Sequence, residues 1–147
     1  MLSARASAAV YRVGDNDRGA GSVGADELNV TGVDFVCVPT RDHDRAVSFY
    51  AETLGLERGK RWGDRPATEF QAGNLTIAVM DPSGFGQAEA RPNSAPIALQ
   101  VADVAASQAA LEAKGVSFHA SFDSGVCHQA IFSDPDGNPL ILHHRYA

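Results

Sequence analysis

Five histidines and two cysteines are the side chains of this sequence best suited to proton transfer, metal ligation or nucleophilic attack. Each of those activities needs a correctly placed neighbour. No Ser/His/Asp or Cys/His arrangement along the chain offers a convincing shared orientation. Cys37 and Cys127 lack the close spacing of metal ligands, and two cysteines do not make a disulfide framework. They read as reduced thiols used in packing. His43 follows a good helix cap and is expected on an exposed first turn, while His144 falls at a frayed end. His119, His128 and His143 fall on strand-like segments. Cys127 and His128 are on opposite phases of a strand, so only one of them can face a given side. Arg61 and Arg65 have the chemistry to attract a carboxylate, but isolated arginines near a turn are more often solvated.

Composition narrows the partners. The net charge of -6 and the absence of any Lys/Arg cluster argue against nucleic acid, whose phosphates need concentrated positive charge. An apolar fraction of 44% over 147 residues supports one ordinary hydrophobic core. No apolar run approaches the ~18 residues of a membrane span. The first ten residues carry one arginine and no apolar stretch, a poor secretory signal, so a cytoplasmic location is expected.

The elements that must position the candidate residues follow from cap, stripe and glycine signals. A strand over Val33 to Thr40 runs into Asp42, a good N-cap, and a helix over about 43–54 carries Ala46, Val47, Tyr50 and Leu54 on one face. Gly55 supplies its stop. Short strands follow near Arg58–Trp62, Thr68–Gln71 and Leu75–Met80, then a Pro- and Gly-rich loop from Asp81 to Asn93. The order then returns. Ile97–Val101 is a strand, Asp103 a cap, 104–114 a helix with Val104, Ser107 and Leu111 on a stripe, and Gly115 a stop. Val116–His119, Val126–Phe132 and Pro139–His144 read as strands, the last two joined by the turn Asp134-Pro135-Asp136-Gly137-Asn138.

This repeat sets the expected architecture. The fold class is α+β, with two tandem βαβββ modules packed around a cleft. One module leaves a sheet face uncovered, and two can cover each other. Residues 1–30 are expected to form a flexible N-terminal extension, in which Val10–Val13 has the pattern of a short strand. Residues 31–147 are expected to form a single domain, with modules at about 32–81 and 94–145.

With those elements in place, the segments Asp42-(two residues)-Arg45-Ala46-Val47-(one residue)-Phe49-Tyr50, Leu54-Gly55-Leu56 and Asp134-Pro135-Asp136-Gly137-Asn138-Pro139 resemble the vicinal oxygen chelate superfamily. That group includes glyoxalase I, extradiol dioxygenases, and fosfomycin- and bleomycin-resistance proteins. The resemblance spans about 32–145 and implies a metal centre whose ligands are His, Glu or Gln on the first and last strands of each module. Carried over singly, those positions fall on Phe35, Pro96, Ile141 and either Ile77 or Ala78. None has a donor side chain, so the usual metal is not expected and no cofactor is assigned.

Alternation then sorts the remaining residues. Phe35, Cys37 and Pro39 share a side with the cleft, as do Ala98 and Gln100, and Ile141 and His143. Trp62 and Phe70 are expected to supply an aromatic wall, and Phe85 either to close over the pocket or to tether the long loop. The expected ligand-binding set is Phe35, Cys37, Trp62, Gln100, Ile141 and His143. The resemblance implies metal-independent binding of a small, largely apolar or aromatic molecule, as in drug-sequestering resistance proteins, by a homodimer whose clefts are shared between chains. The alternative is a lyase, isomerase or dioxygenase of the same group, for which His143 is the candidate acid or base. A third reading is a regulatory domain with a vestigial cleft.

Overall fold

The protein is described by a computed structural model over residues 30–147; the extension expected over 1–30 lies outside the described residues, except for Val30. The first module comprises β1 (Phe35–Pro39), α1 (His43–Ser48), β2 (Glu57–Arg61), β3 (Ala67–Ala72) and β4 (Leu75–Met80). The second comprises β5 (Ile97–Gln100), α2 (Val104–Ala113), β6 (Phe118–Asp123), β7 (Cys127–Ser133) and β8 (Pro139–Arg145). Each makes one four-stranded sheet, in the orders β1-β4-β3-β2 and β5-β8-β7-β6. The first strand of each module pairs parallel with its last, and the other neighbours are antiparallel. The repeated βαβββ pattern is therefore realised twice.

Both predicted caps form. Asp42 accepts from the Arg45 N–H at 3.1 Å and Asp103 from the Ala106 N–H at 2.9 Å. The first helix does not run as one α-helix to residue 54. After Ser48 it widens into a π-turn over Phe49–Thr53, closed by the Leu54 N–H on the Phe49 carbonyl at 2.9 Å. Strand β6 begins at Phe118 rather than Val116, because the Val116 N–H is taken by the Leu111 carbonyl at the helix end.

One side of each sheet carries the core. Val38, Phe70, Ile77 and Val79 join Ala46, Val47 and Tyr50 of the first helical segment, and Ala130, Phe132, Leu140 and Leu142 join Val104 and Leu111 of α2. Each fully buried large side chain contributes roughly 1.5–3 kcal/mol of transfer free energy.

The Asp134–Asn138 turn does more than reverse the chain. Asp134 Oδ1 accepts from the Asp136 and Asn138 N–H groups, while its Oδ2 accepts from the Tyr50 hydroxyl at 2.9 Å and Asn138 Nδ2 at 2.8 Å. Asp136 accepts from the Thr40 hydroxyl at 2.5 Å and the Arg41 N–H at 3.0 Å. Asn138 Nδ2 also donates to the Pro39 carbonyl at 2.8 Å, and its Oδ1 accepts from the Asn93 N–H. The second module's turn is thus bonded to the end of β1, the first helical segment and the inter-module loop. Asp134, Asp136 and Asn138 are all buried. Gly137 holds φ 87°, which an L side chain would resist.

Candidate functional site

With the core on the helix side, alternation assigns the opposite face of each sheet. In the first module its rows are Phe35–Thr76–Gln71 and Cys37–Ala78–Glu69, read directly from strand register. In the second they are Ala98–Ile141–Ile131–Ala120, which is wholly apolar, and Gln100–His143–Gln129–Phe122, which brings three polar side chains into line. Cys127 pairs with Arg145 on this face, and His128 falls with His144 on the other. That resolves which of the adjacent pair lies with Ile141 and His143.

The first face carries an aromatic cluster. Phe35 meets Trp62 edge-on with ring centres 5.5 Å apart, and Trp62 meets Phe85 edge-on at 6.1 Å. Phe85 ends the short 3-10 turn Pro82–Phe85. That turn is drawn against β3 by the Asp81 N–H on the Pro66 carbonyl at 2.9 Å. On the same sheet face, Ala67, Ala78 and Met80 are buried. The Trp62 indole N–H donates to Glu69 Oε1 at 2.6 Å, which fixes the ring plane. The Arg65 guanidinium lies 4.9 Å from the centre of the Phe85 ring. The loop's aromatic residue therefore packs into the cluster.

Three sequence expectations change. Phe70 is not part of this wall. It is fully buried on the helix side against Tyr50, with ring centres 5.7 Å apart, because its phase is opposite to that of Glu69. His43 is not exposed. Its side chain is 10% accessible, and Nε2 lies 3.1 Å from the Thr68 hydroxyl. Burial and the nearby Arg61 charge push its pKa below the usual imidazole value. Arg65 is exposed but rests on an aromatic ring rather than standing free. Glu69 was missed altogether. Its signal was available in the phase of β3, but only once Phe70 is known to point at Tyr50.

The expected ligand-binding residues fall into two groups. Phe35, Cys37 and Trp62 belong to the first sheet's helix-free side, and Gln100, Ile141 and His143 to the second's. Among the described residues no hydrogen bond or ring contact joins one group to the other. A cavity of about 420 Å³ is lined by Ala98, Gln100, His143, His144 and Arg145. A larger one of about 900 Å³ lies between the β3–β4 turn and β5 and reaches Gln71, Ala98 and Gln100, but none of Phe35, Trp62, Ile141 and His143. Cys37 is a free thiol beside the aromatic group, and burial raises its pKa, which disfavours the thiolate.

The matching sequence family is the Glyoxalase/Bleomycin resistance protein/Dioxygenase superfamily, aligned over residues 32–142. The chain belongs to that superfamily. No curated protein is significantly similar in sequence. Among solved structures, TnmS3, an antibiotic binding protein from Streptomyces sp. CB03234, superposes with a TM-score of 0.67 at 26% identity, covering 82% of this chain and 100% of its own. A glyoxalase/bleomycin resistance protein from the same source gives 0.63 at 27% identity, covering 77% and 100%. Lactoylglutathione lyase from Agrobacterium tumefaciens gives 0.66 at 17% identity, covering 79% and 95%, a likeness of fold alone.

Superfamily enzymes imply a metal, and strand register allows its fit to be tested. Ile77 is fully buried on the helix side, whereas Ala78 pairs with both Cys37 and Glu69 on the opposite face. Ala78 is therefore the first-module counterpart of Ile141, which pairs with Ala98 and Ile131 in the same way. The side chains of Phe35, Ala78, Pro96 and Ile141 offer no lone pair, and the described residues contain no group of three His, Cys, Asp or Glu placed to hold an ion. The superfamily's metal does not fit these positions.

Proposed function

We propose that this superfamily member binds a small, largely apolar or aromatic molecule without a metal ion, between the helix-free faces of its two kinds of module. The observation that carries this reading is the Phe35–Trp62–Phe85 cluster, fixed by Glu69, on the face where the superfamily's chemistry would otherwise take place. Aromatic rings presented on a partly open face supply much of the affinity of a small-molecule pocket. A structural neighbour at 26% identity is an antibiotic binding protein, which supports a binding role for this chain. Phe35, Cys37 and Trp62 form one wall, and Ile141, Gln100 and His143 the other, the last two as polar contacts.

The two walls meet across a homodimer. The support is the apolar row Ala98–Ile141–Ile131–Ala120, which is only partly covered within one chain. A stable 15.5 kDa species in sedimentation equilibrium would count against the dimer. Binding resides in residues 31–147, of which the superfamily match covers 32–142. Removing residues 1–30 is expected to leave ligand affinity unchanged. The two free thiols suit a cytoplasmic setting, and the described residues include no helix long and apolar enough to cross a membrane.

A thermal-shift screen of aromatic antibiotics and small phenolic metabolites tests the reading. A specific binder raises the melting temperature by mass action, with or without divalent ions. Binding or turnover that requires an added divalent ion would overturn it in favour of a lyase, isomerase or dioxygenase.

A further inference from the structure

We propose that Glu69 and the rings around it form a subsite for a cationic group, so that the preferred ligand carries an ammonium or guanidinium on its apolar body. The inference rests on the binding function proposed above and deepens it by naming the charge of the ligand. Glu69 is half-buried on the helix-free face of β3, in the row Cys37–Ala78–Glu69. One carboxylate oxygen holds the Trp62 N–H at 2.6 Å. Its second oxygen makes no hydrogen bond, and no ion pair within 4.0 Å reaches this residue among the described residues. A half-buried carboxylate with a spare acceptor and no counter-ion favours a positive partner.

The rings point the same way. Phe35 and Phe85 both stand edge-on to Trp62, at 74° and 90°, so the three rings form walls rather than a stack. Ring faces attract cations: the Arg65 guanidinium takes the Phe85 face, 4.9 Å from its centre, so the Phe35 and Trp62 rings beside Glu69 are the ones left to a ligand. Arg65 is exposed and makes no ion pair with Glu69, so it leaves the carboxylate to a ligand. The row also explains why Ala78 suits this position. Its small side chain, fully buried between Cys37 and Glu69, leaves the carboxylate without a competing donor.

Trp62 is the sole tryptophan of the chain, so its emission reports this subsite directly. The full-length protein is titrated with para-tert-butylbenzylammonium and with its neutral counterpart para-tert-butylbenzyl alcohol, which can still donate a hydrogen bond. The ammonium is expected to bind roughly tenfold more tightly, the size of one charge-assisted contact. That preference should shrink as salt is added. Glu69→Gln keeps an acceptor for the Trp62 indole but removes the charge, and should bring the two affinities together. Equal binding of both compounds by the unmodified protein would overturn the cation subsite while leaving the apolar pocket standing. An ammonium preference that survives in folded Glu69→Gln would overturn it as well. No Trp62 response to either compound would overturn the subsite and count against the pocket reading together.

Discussion

Replacing Tyr50 with Phe removes one oxygen and should expose how firmly the second module's turn holds the first. The Tyr50 hydroxyl is fully buried and donates to Asp134 Oδ2 at 2.9 Å; the acceptor carboxylate is itself only 6% exposed. The ring stays, with its packing on Phe49 and Phe70. A hydrogen bond to a charged group contributes about 1.5–3 kcal/mol, so Tyr50→Phe should cost about 2 kcal/mol. Asp134→Ala is more severe. It strips the acceptor from the Tyr50 hydroxyl, from Asn138 Nδ2 and from two backbone N–H groups, for an expected loss of about 3–5 kcal/mol. Urea unfolding followed by circular dichroism measures both, and the slope with urea should not change if the native state keeps its compactness. Because the two residues share one bond, the double variant should cost little more than Asp134→Ala alone. Alkaline pH gives a separate check. Burial and the Asp134 charge raise the Tyr50 pKa far above the ordinary tyrosine range, so the phenol stays protonated in the folded protein. The unfolded chain ionises near that ordinary value, so stability falls as pH rises past it, and Tyr50→Phe should lose this part of the fall. A Tyr50→Phe cost under about 0.5 kcal/mol, within the range of neutral surface changes, would refute the account of the joint.

His43 has a lowered pKa in the folded state, so the unfolded chain binds more protons as pH drops below the usual imidazole range; stability should fall over that interval, and less steeply in His43→Gln when melts are compared across pH. Cys37 is exposed, with its pKa raised by partial burial, so it should be alkylated in the folded protein at a rate that climbs with pH; Cys127, only 6% exposed, should react chiefly on unfolding, which mass spectrometry of labelled peptides resolves. A side chain at Gly84 would drive its Cβ into the Pro66 ring, so Gly84→Ala should shift the turn that carries Phe85, alter Trp62 emission and weaken ligand binding in calorimetry. Ile141→Glu would place a carboxylate in the apolar row of β8 and should weaken an apolar ligand at least tenfold, roughly the cost of desolvating a charge, in protein shown by circular dichroism to be folded.

Local signals determined much of the architecture. Asp42 and Asp103 cap because their side chains reach the N–H groups three residues on, and Gly55, Gly115 and Gly137 end elements because they hold φ of 71°, 89° and 87°. Alternation in β1, β5 and β8 already separated Phe35, Cys37, Gln100, Ile141 and His143 from the residues that pack under the helices. Side-chain chemistry alone excluded the superfamily's metal ligands from Phe35, Pro96 and Ile141. The sequence could not supply the relative phase of strands that lack a clean pattern. Thr68, Glu69, Phe70 and Gln71 look alike until Tyr50 selects Phe70 for the core and turns Glu69 to the other side. Nor could it bring Phe85 onto Trp62, since that contact depends on a turn docking across β3. The burial of His43 and the bonding of Asp134 to Tyr50, 84 residues apart, are likewise tertiary. Periodicity reports which way a side chain leaves its own backbone; what it meets there depends on segments brought in from elsewhere, whose arrival leaves no local mark.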